Sequence, residues 1–247
     1  MPLPDILPQR VALICSVLLG GCSVYTPTIP STPLVQKGEV EAYAGVRGLM
    51  SSAEVGAAWS PVNHVMLTTE AAVRLVNADD SSPSQNRQLN LGAGVYQRFN
   101  GTVPMHVALV GGVGHATSDV RNGNISSPGF ARYQATYSRY YAQGYVAFFG
   151  EEAGWLNGGV SCRATWVDYD KLRRNDQPVT PATTFYLEPT VFMRFGQGAL
   201  QSQLSIGSSL PNARLNGDPA DKYLDARNTL IGYGLIFRPG QLPRRSR

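Results

Sequence analysis

The sequence predicts an all-β fold, a single antiparallel up-and-down β-barrel of about ten strands. Three observations predict it. Apolar and polar residues alternate from residue 39 onward, short and long connections alternate between these segments, and aromatic residues collect beside the short connections. Glycine is abundant, with 26 residues, and the 12 tyrosines outnumber the 8 phenylalanines. This composition suits strands and turns better than helices.

The alternation is clearest in the predicted eighth strand. Leu187, Val191 and Met193 face one side of this strand, whereas Glu188 and Arg194 face the other. Alternation alone does not say which face is buried. A soluble barrel hides its apolar face inside, whereas a membrane barrel turns that face outward to lipid.

The lengths of the connections favour the membrane barrel. Four connections are short and contain turn residues, at 61–63, 100–102, 150–152 and 196–198. Four others are long and polar, at 77–87, 117–130, 169–183 and 208–227. Only the first connection, at 49–52, breaks the rule. Short turns at one end and long loops at the other are typical of a barrel with periplasmic turns and extracellular loops.

Aromatic residues near the short turns predict a girdle at one membrane interface. Its members are Trp59, Phe99, Phe148, Phe149, Trp155, Phe195 and Phe237. A second group is expected to form the girdle at the opposite interface: Tyr133, Tyr137, Trp166, Tyr169 and Phe185.

The polar strand faces carry glutamate and arginine in similar numbers, and a narrow lumen must pair such charges. We predict a luminal charge network of Glu41, Arg47, Glu70, Arg74, Arg98, Arg163, Glu188 and Arg194. Lysine occurs only at Lys37, Lys171 and Lys222, and the arginines are spread one per strand. Such spacing gives no basic cluster and argues against nucleic-acid binding.

The N-terminus predicts a lipoprotein signal over residues 1–21. A short apolar run from Val11 to Leu19 is followed by Gly20-Gly21-Cys22. Small residues before a cysteine fit cleavage before that cysteine and its acylation, for instance with palmitate. An ordinary secretory signal is the alternative. The proline-rich residues 22–38 are expected to be an extended tether, followed by the barrel at 39–238 and a basic tail at 239–247.

The N-terminus also carries a resemblance. Three stretches of the chain resemble a family of Bacteroidota lipoproteins found in Hymenobacter-type genomes. They are Cys22-x-x-Tyr25-x-Pro27, then Lys37-Gly38-Glu39, then Ala58-Trp59-Ser60-Pro61-Val62-Asn63-His64. The resemblance covers the first third of the chain and implies an outer-membrane β-barrel lipoprotein. It implies no activity, because the family has none assigned.

An even strand count returns the C-terminus to the end where the first strand began. With short turns facing the periplasm, a lipid on Cys22 is therefore expected in the periplasmic leaflet. The absence of an acidic pair after Cys22 favours the same leaflet.

Residues suited to chemistry are few. His115 is predicted at the outer rim with Asp119 and, in the neighbouring loop, Asp79, an arrangement that suggests a rim hydrolase of the protease or lipid A deacylase type. The spacing fits neither type well, so a solvated rim histidine is favoured. Cys15 lies within the predicted signal and Cys22 is expected to be acylated, so the cysteines predict neither a disulfide framework nor a metal site.

The leading hypothesis is a non-enzymatic outer-membrane barrel with a structural or binding role and no cofactor. Its partners would be outer-membrane lipid and an extracellular ligand or protein held by the long loops. One alternative is a soluble, lipid-tethered periplasmic β-barrel that binds an apolar ligand and keeps its apolar faces inside. The other is the rim hydrolase.

Overall fold

The computed structural model describes residues 24–48, 52–74, 85–122, 131–149, 155–180, 183–212 and 228–242. It confirms the predicted fold, a closed ten-stranded antiparallel β-barrel. The wall strands are β1 Val40–Arg47, β2 Ser52–Trp59, β3 Val65–Arg74, β4 Gln85–Phe99, β5 Met105–Asn122, β6 Ala131–Phe149, β7 Leu156–Arg174, β9 Thr184–Phe195, β10 Leu200–Pro211 and β11 Asn228–Phe237. Among the described residues, no helix is long and apolar enough to cross a membrane.

Each wall strand pairs with its neighbours along the chain, and β1 pairs with β11 to close the barrel. In that closing pair Ala42 lies opposite Phe237, so the barrel begins and ends at the same end. A two-residue strand, β8 (Gln177–Pro178), folds back on the end of β7 through Asn175 and Asp176. Both residues have positive φ, of 50° and 64°, as a two-residue hairpin turn requires.

Apolar side chains cover the outside of the barrel, and polar ones line the inside. Val113, Val191 and Leu200 are each more than half exposed, whereas Arg139, Arg163 and Glu188 have no exposed surface. The soluble alternative required apolar faces inside, so its prediction is wrong on this point. The outer surface is apolar, which suits contact with lipid rather than with water.

Four strands, β4, β5, β7 and β10, extend into connections that the sequence predicted to be long loops, whereas β6 has the predicted range. β4 to β7 have 15 to 19 residues, compared with 8 in β1 and β2. Parts of the predicted loops, notably 85–87, 117–122 and 169–174, are therefore strand. The outward side chains of these residues are polar, because the strands continue beyond the part of the wall whose outer face is apolar, which we call the apolar belt. Their polarity is the reason that the sequence predicts loops here. Residues 213–227 of the predicted long connection at 208–227 lie outside the described residues.

Residues 24–35 run through the lumen in an extended path without strand pairing, and all but Ser31 are buried. We expected the proline-rich stretch to be a tether outside the barrel. Residues 24–35 instead lie inside, because the polar lumen wall supplies hydrogen-bond partners for an extended backbone. We refer to residues 24–35 as the luminal segment.

Candidate functional site

Three glutamates on the lumen wall bind the backbone of the luminal segment. Glu41 accepts a hydrogen bond from the Leu34 N–H at 3.2 Å. Glu54 accepts one from Ile29 and Glu70 one from Ser31, each at 3.1 Å. Buried backbone N–H groups must be hydrogen-bonded. In a sheet the acceptors are carbonyl groups of a neighbouring strand, whereas here they are the three carboxylates.

The same three carboxylates are paired with arginines of the wall. Arg194 lies 2.9 Å from Glu41, Arg47 lies 2.8 Å from Glu54, and Arg163 lies 2.7 Å from Glu70. All six side chains are at least nine-tenths buried. Each glutamate thus joins one charged wall side chain to one backbone N–H of the segment.

Wall side chains also donate to the oxygens of the segment. Gln143 donates to the Ser31 carbonyl at 2.6 Å, Tyr145 to that of Pro33 at 2.5 Å, and Arg194 to that of Thr32 at 2.5 Å. Arg163 donates to the Thr28 hydroxyl at 3.1 Å, and Arg238 to the Leu34 carbonyl at 2.9 Å.

The prolines of the luminal segment suit this position. Pro27, Pro30 and Pro33 recur at every third residue and have no N–H, so they reduce the number of donors that the lumen must satisfy. Proline also limits the conformations of the unfolded chain and so lowers the entropy lost when the segment is ordered.

At the long-loop end, the segment is held by a cluster of tyrosines. The Tyr25 hydroxyl donates to Glu188 at 2.9 Å, and its ring centroid lies 4.2 Å from that of Tyr186. The Tyr137 ring packs edge-on against Tyr25, and the Arg139 guanidinium lies 5.4 Å from the Tyr25 ring centroid. Glu188 also accepts from the hydroxyls of Thr165 and Ser209.

At the short-turn end, the segment is held by apolar contacts. Leu34 and Val35 join a buried cluster that includes Met66, Tyr145 and Phe192. His106 also lies buried in the lumen at this end. Its ring stacks between Tyr96 and Tyr145, with centroid distances of 5.2 and 5.9 Å.

Glycines of the wall make room for the luminal contents. A Cβ atom on Gly232 would collide with the side chain of Ile29, and one on Gly112 would collide with Tyr141. The remaining space beside Ile29 and Arg194 is a cavity of about 10 Å³. That is about the least volume that holds one water, so the lumen is closely packed at this level.

Six of the eight residues predicted for the luminal network are buried, and Arg74 and Arg98 are not. Arg47, Arg163 and Arg194 form buried ion pairs, and Glu188 accepts hydrogen bonds from hydroxyl groups. Arg74 is half-buried, near the long-loop end of β3. Arg98 is exposed near the short turns, with its guanidinium 4.8 Å from the ring centroid of Phe149.

Sequence reasoning missed Arg139 as a member of the network. It is fully buried on the lumen face of β6 and donates to Gln88 at 3.2 Å. The signal was present, because Arg139 occupies the inward phase of an alternating run, two residues from both Tyr137 and Tyr141. No such periodicity points to the luminal segment, since an unpaired extended chain has no two-residue pattern of burial.

The predicted aromatic girdle is corrected at both ends. Trp59, Phe99, Trp155 and Phe237 are exposed on the outer face near the short turns, and Phe195 is half-buried there. Phe149 instead packs against the luminal cluster, and Phe148 takes the outward position, because neighbouring residues of a strand face opposite sides.

At the long-loop end, three of the five residues predicted for the second girdle lie inside the barrel. Tyr133, Tyr137 and Tyr169 belong to the tyrosine cluster around Tyr25, which leaves Trp166 and Phe185 outside.

Two of the predicted rim residues, His115 and Asp119, are too far apart to act together. His115 is exposed on the outer face of β5, beside Leu89 and Ser138 of the neighbouring strands. Asp119 lies four residues further along, roughly 13 Å away at a strand rise of about 3.3 Å per residue, which is beyond hydrogen-bond reach. Asp79 lies outside the described residues.

Asp119 instead forms an ion pair with Arg132, with distances of 3.0 and 2.5 Å from its two oxygens to Nε and Nη2. The pair lies beyond the apolar belt, where these hydrogen bonds hold the pKa of the Asp119 carboxyl below its usual value. Asp119 borders an open cleft of about 540 Å³ on the outer face of the extended strands. In the described ranges, no three His, Cys, Asp or Glu side chains come together as a metal site would require.

No protein-family model and no curated protein matches the chain. Among solved structures, the chain is similar to the translocator domain of autotransporter NalP from Neisseria meningitidis, with 12% sequence identity and a TM-score of 0.38 over 95% of both chains. It is also similar to LpxR from Salmonella typhimurium, with 8% identity and a TM-score of 0.37 over 81% of this chain and 99% of that one.

The luminal segment and the residues that bind it are therefore the candidate functional site. The arrangement fixes one extended peptide along the lumen through its backbone, at both ends and in the middle. Chemically it holds a chain in place, because Glu41, Glu54 and Glu70 each pair with an arginine of the wall and accept a hydrogen bond from the segment.

Proposed function

We propose that the chain is an outer-membrane β-barrel lipoprotein, lipidated at Cys22, with a non-enzymatic structural or binding role. The observation that carries the proposal is the combination of an apolar exterior with a lumen filled by the chain's own residues 24–35. An apolar exterior suits a lipid environment. A filled lumen suits a scaffold rather than a conduit.

The lipid at Cys22 rests on the sequence Leu19-Gly20-Gly21-Cys22 and on the resemblance to Bacteroidota lipoproteins. An extracellular ligand or protein would bind the connections at the long-loop end. The apolar belt would then contact membrane lipid. The rim hydrolase is not proposed, because His115 and Asp119 are too far apart to act together.

Membrane fractionation with labelled palmitate tests the proposal. We expect the wild-type chain in the outer-membrane fraction, labelled with palmitate and migrating differently on gels before and after boiling. Cys22→Ala should lose the label and keep the change in migration, because the barrel folds through contacts of residues 24 onward. A soluble protein whose migration does not change on boiling would contradict the membrane barrel.

Cys162→Ala is the matched control, since Cys162 is exposed on the outer face of β7. It should keep both the label and the change in migration. A Cys22→Ala protein that retained the palmitate label would contradict acylation at that residue. Channel recordings in planar bilayers provide a second readout, in which we expect no steady conductance from the wild-type chain.

A further inference from the structure

The luminal segment has a direction. Leu34 contacts Glu41 and Arg238, which lie near the short turns at the ends of the wall. Ile29 lies further along the lumen, where it binds Glu54. Tyr25 reaches Glu188, whose hydroxyl partner Ser209 lies near the long-loop end of β10.

The order of these contacts is the same as the order of the residues. From residue 34 down to residue 25 the segment advances steadily from the short-turn end to the long-loop end. Tyr25 also packs on Tyr137 and Tyr186, which lie near the long-loop ends of β6 and β9. The segment therefore enters at the long-loop end and leaves at the short-turn end, where β1 begins.

Chain connectivity then limits where Cys22 lies. Two peptide units separate it from Val24, so their Cα atoms are at most about 7.6 Å apart, at 3.8 Å per residue. The apolar belt of a membrane barrel is about 25 Å tall. A residue tied this closely to the long-loop end does not reach the membrane surface at the short-turn end.

We infer that the N-terminus is delivered to the outer face of the membrane and that the lipid on Cys22 enters the outer leaflet. This rests on the proposed acylation of Cys22 and on the long loops facing outside. It replaces the expectation of a periplasmic lipid, which assumed that the N-terminus stays at the end where β1 begins. The barrel then holds a lipoprotein N-terminus threaded through its own lumen, with the C-terminus on the opposite side.

Epitope accessibility on intact cells tests the inference. One epitope is inserted between Ser23 and Val24, a second in the 123–130 connection, and a third after Arg247. We expect impermeant antibody to bind the first two on intact cells and to bind the third only after the outer membrane is opened. Protection of the first epitope together with the third would overturn the inference.

The second epitope fixes which end of the barrel faces outside, and the change in gel migration on boiling checks that each insertion folds. Palmitate labelling of the same proteins separates the two proposals. An exposed first epitope without label would support the threading and contradict the acylation. A labelled but protected first epitope would support the acylation and contradict the threading.

A disulfide provides a measurement that needs no insertion. The pair Ile29→Cys and Gly232→Cys, in a Cys162→Ser background, places two thiols where the side chain of residue 29 meets the wall. Oxidation should link them and change the migration of the denatured, unreduced chain. The control pair Ile29→Cys and Gly144→Cys should not link, because Gly144 is on the outer face. Equal linking in both pairs, or in neither, would overturn the position of the segment.

Discussion

At the scale of single residues, the glutamates of the lumen each serve two partners. Glu70 pairs with Arg163 and accepts the Ser31 N–H, so its charge is needed by the wall and by the luminal segment. We expect Glu70→Gln to lower the free energy of unfolding by about 3 kcal/mol or more, because it leaves a fully buried arginine without a charged partner. Urea titration in phospholipid vesicles, followed by tryptophan fluorescence, measures the loss.

Glu39→Gln is the matched control. The Glu39 carboxylate is 27% exposed and pairs with Arg238 at the rim, so its loss should cost less than about 1 kcal/mol. The double variant Glu70→Gln with Arg163→Met should recover part of the loss, because it removes the uncompensated charge. Equal effects of Glu39→Gln and Glu70→Gln would contradict the buried pair.

Residue patterns predicted the inward position of Glu41, Glu70 and Arg194, because alternation along a strand fixes which face each residue takes. The partners of these residues were harder to infer. An ion pair such as Arg194 with Glu41 joins residues 153 positions apart, and strand pairing alone does not say which luminal side chains meet. The backbone partner on the luminal segment was not predicted at all.

At the scale of elements, the luminal segment and the wall fit each other in size. Ile29 occupies space left by the missing side chain of Gly232. We expect Gly232→Val to destabilise the protein by roughly 1–3 kcal/mol, because the added methyl groups overpack the lumen. Combining it with Ile29→Ala should recover most of that loss, and a double-mutant cycle on urea unfolding measures the coupling.

Gly144→Val supplies the comparison on the outer face. A Cβ atom there would lie 4.0 Å from its nearest neighbour, so we expect a change within about 0.5 kcal/mol. If Gly232→Val and Gly144→Val had the same effect, or if Ile29→Ala failed to rescue, the segment would not occupy the lumen at this level.

Element boundaries were less predictable than element number. Ten wall strands were expected from alternation and turn residues, and ten are present in the described ranges. The strand residues that were predicted to be loop, such as Thr117 and Arg173, are polar on the outward face and therefore resemble loop residues. The luminal segment was mistaken for a tether because proline at every third residue indicates an extended chain without indicating what surrounds it.

At the scale of the whole molecule, sequence and structure agree on a barrel whose outer face is apolar. The connection lengths favoured a membrane barrel, and the burial of Arg139, Arg163 and Glu188 places the polar faces inside. Connection lengths carry no information about the contents of the lumen. The path of the luminal segment therefore could not be predicted from the pattern of strands.

The apolar outer surface leads to a prediction that separates a membrane barrel from a barrel in water. Val191 is 56% exposed near the middle of β9, so an arginine there has space in either environment. In a bilayer, Val191→Arg should cost about 2–4 kcal/mol, because charge at the midplane is poorly solvated. Leu200→Arg, 60% exposed at the short-turn end of β10, should cost at most about 1 kcal/mol, because it lies at the interface. Urea unfolding in vesicles measures both, and equal small costs would indicate that the outer surface does not face lipid.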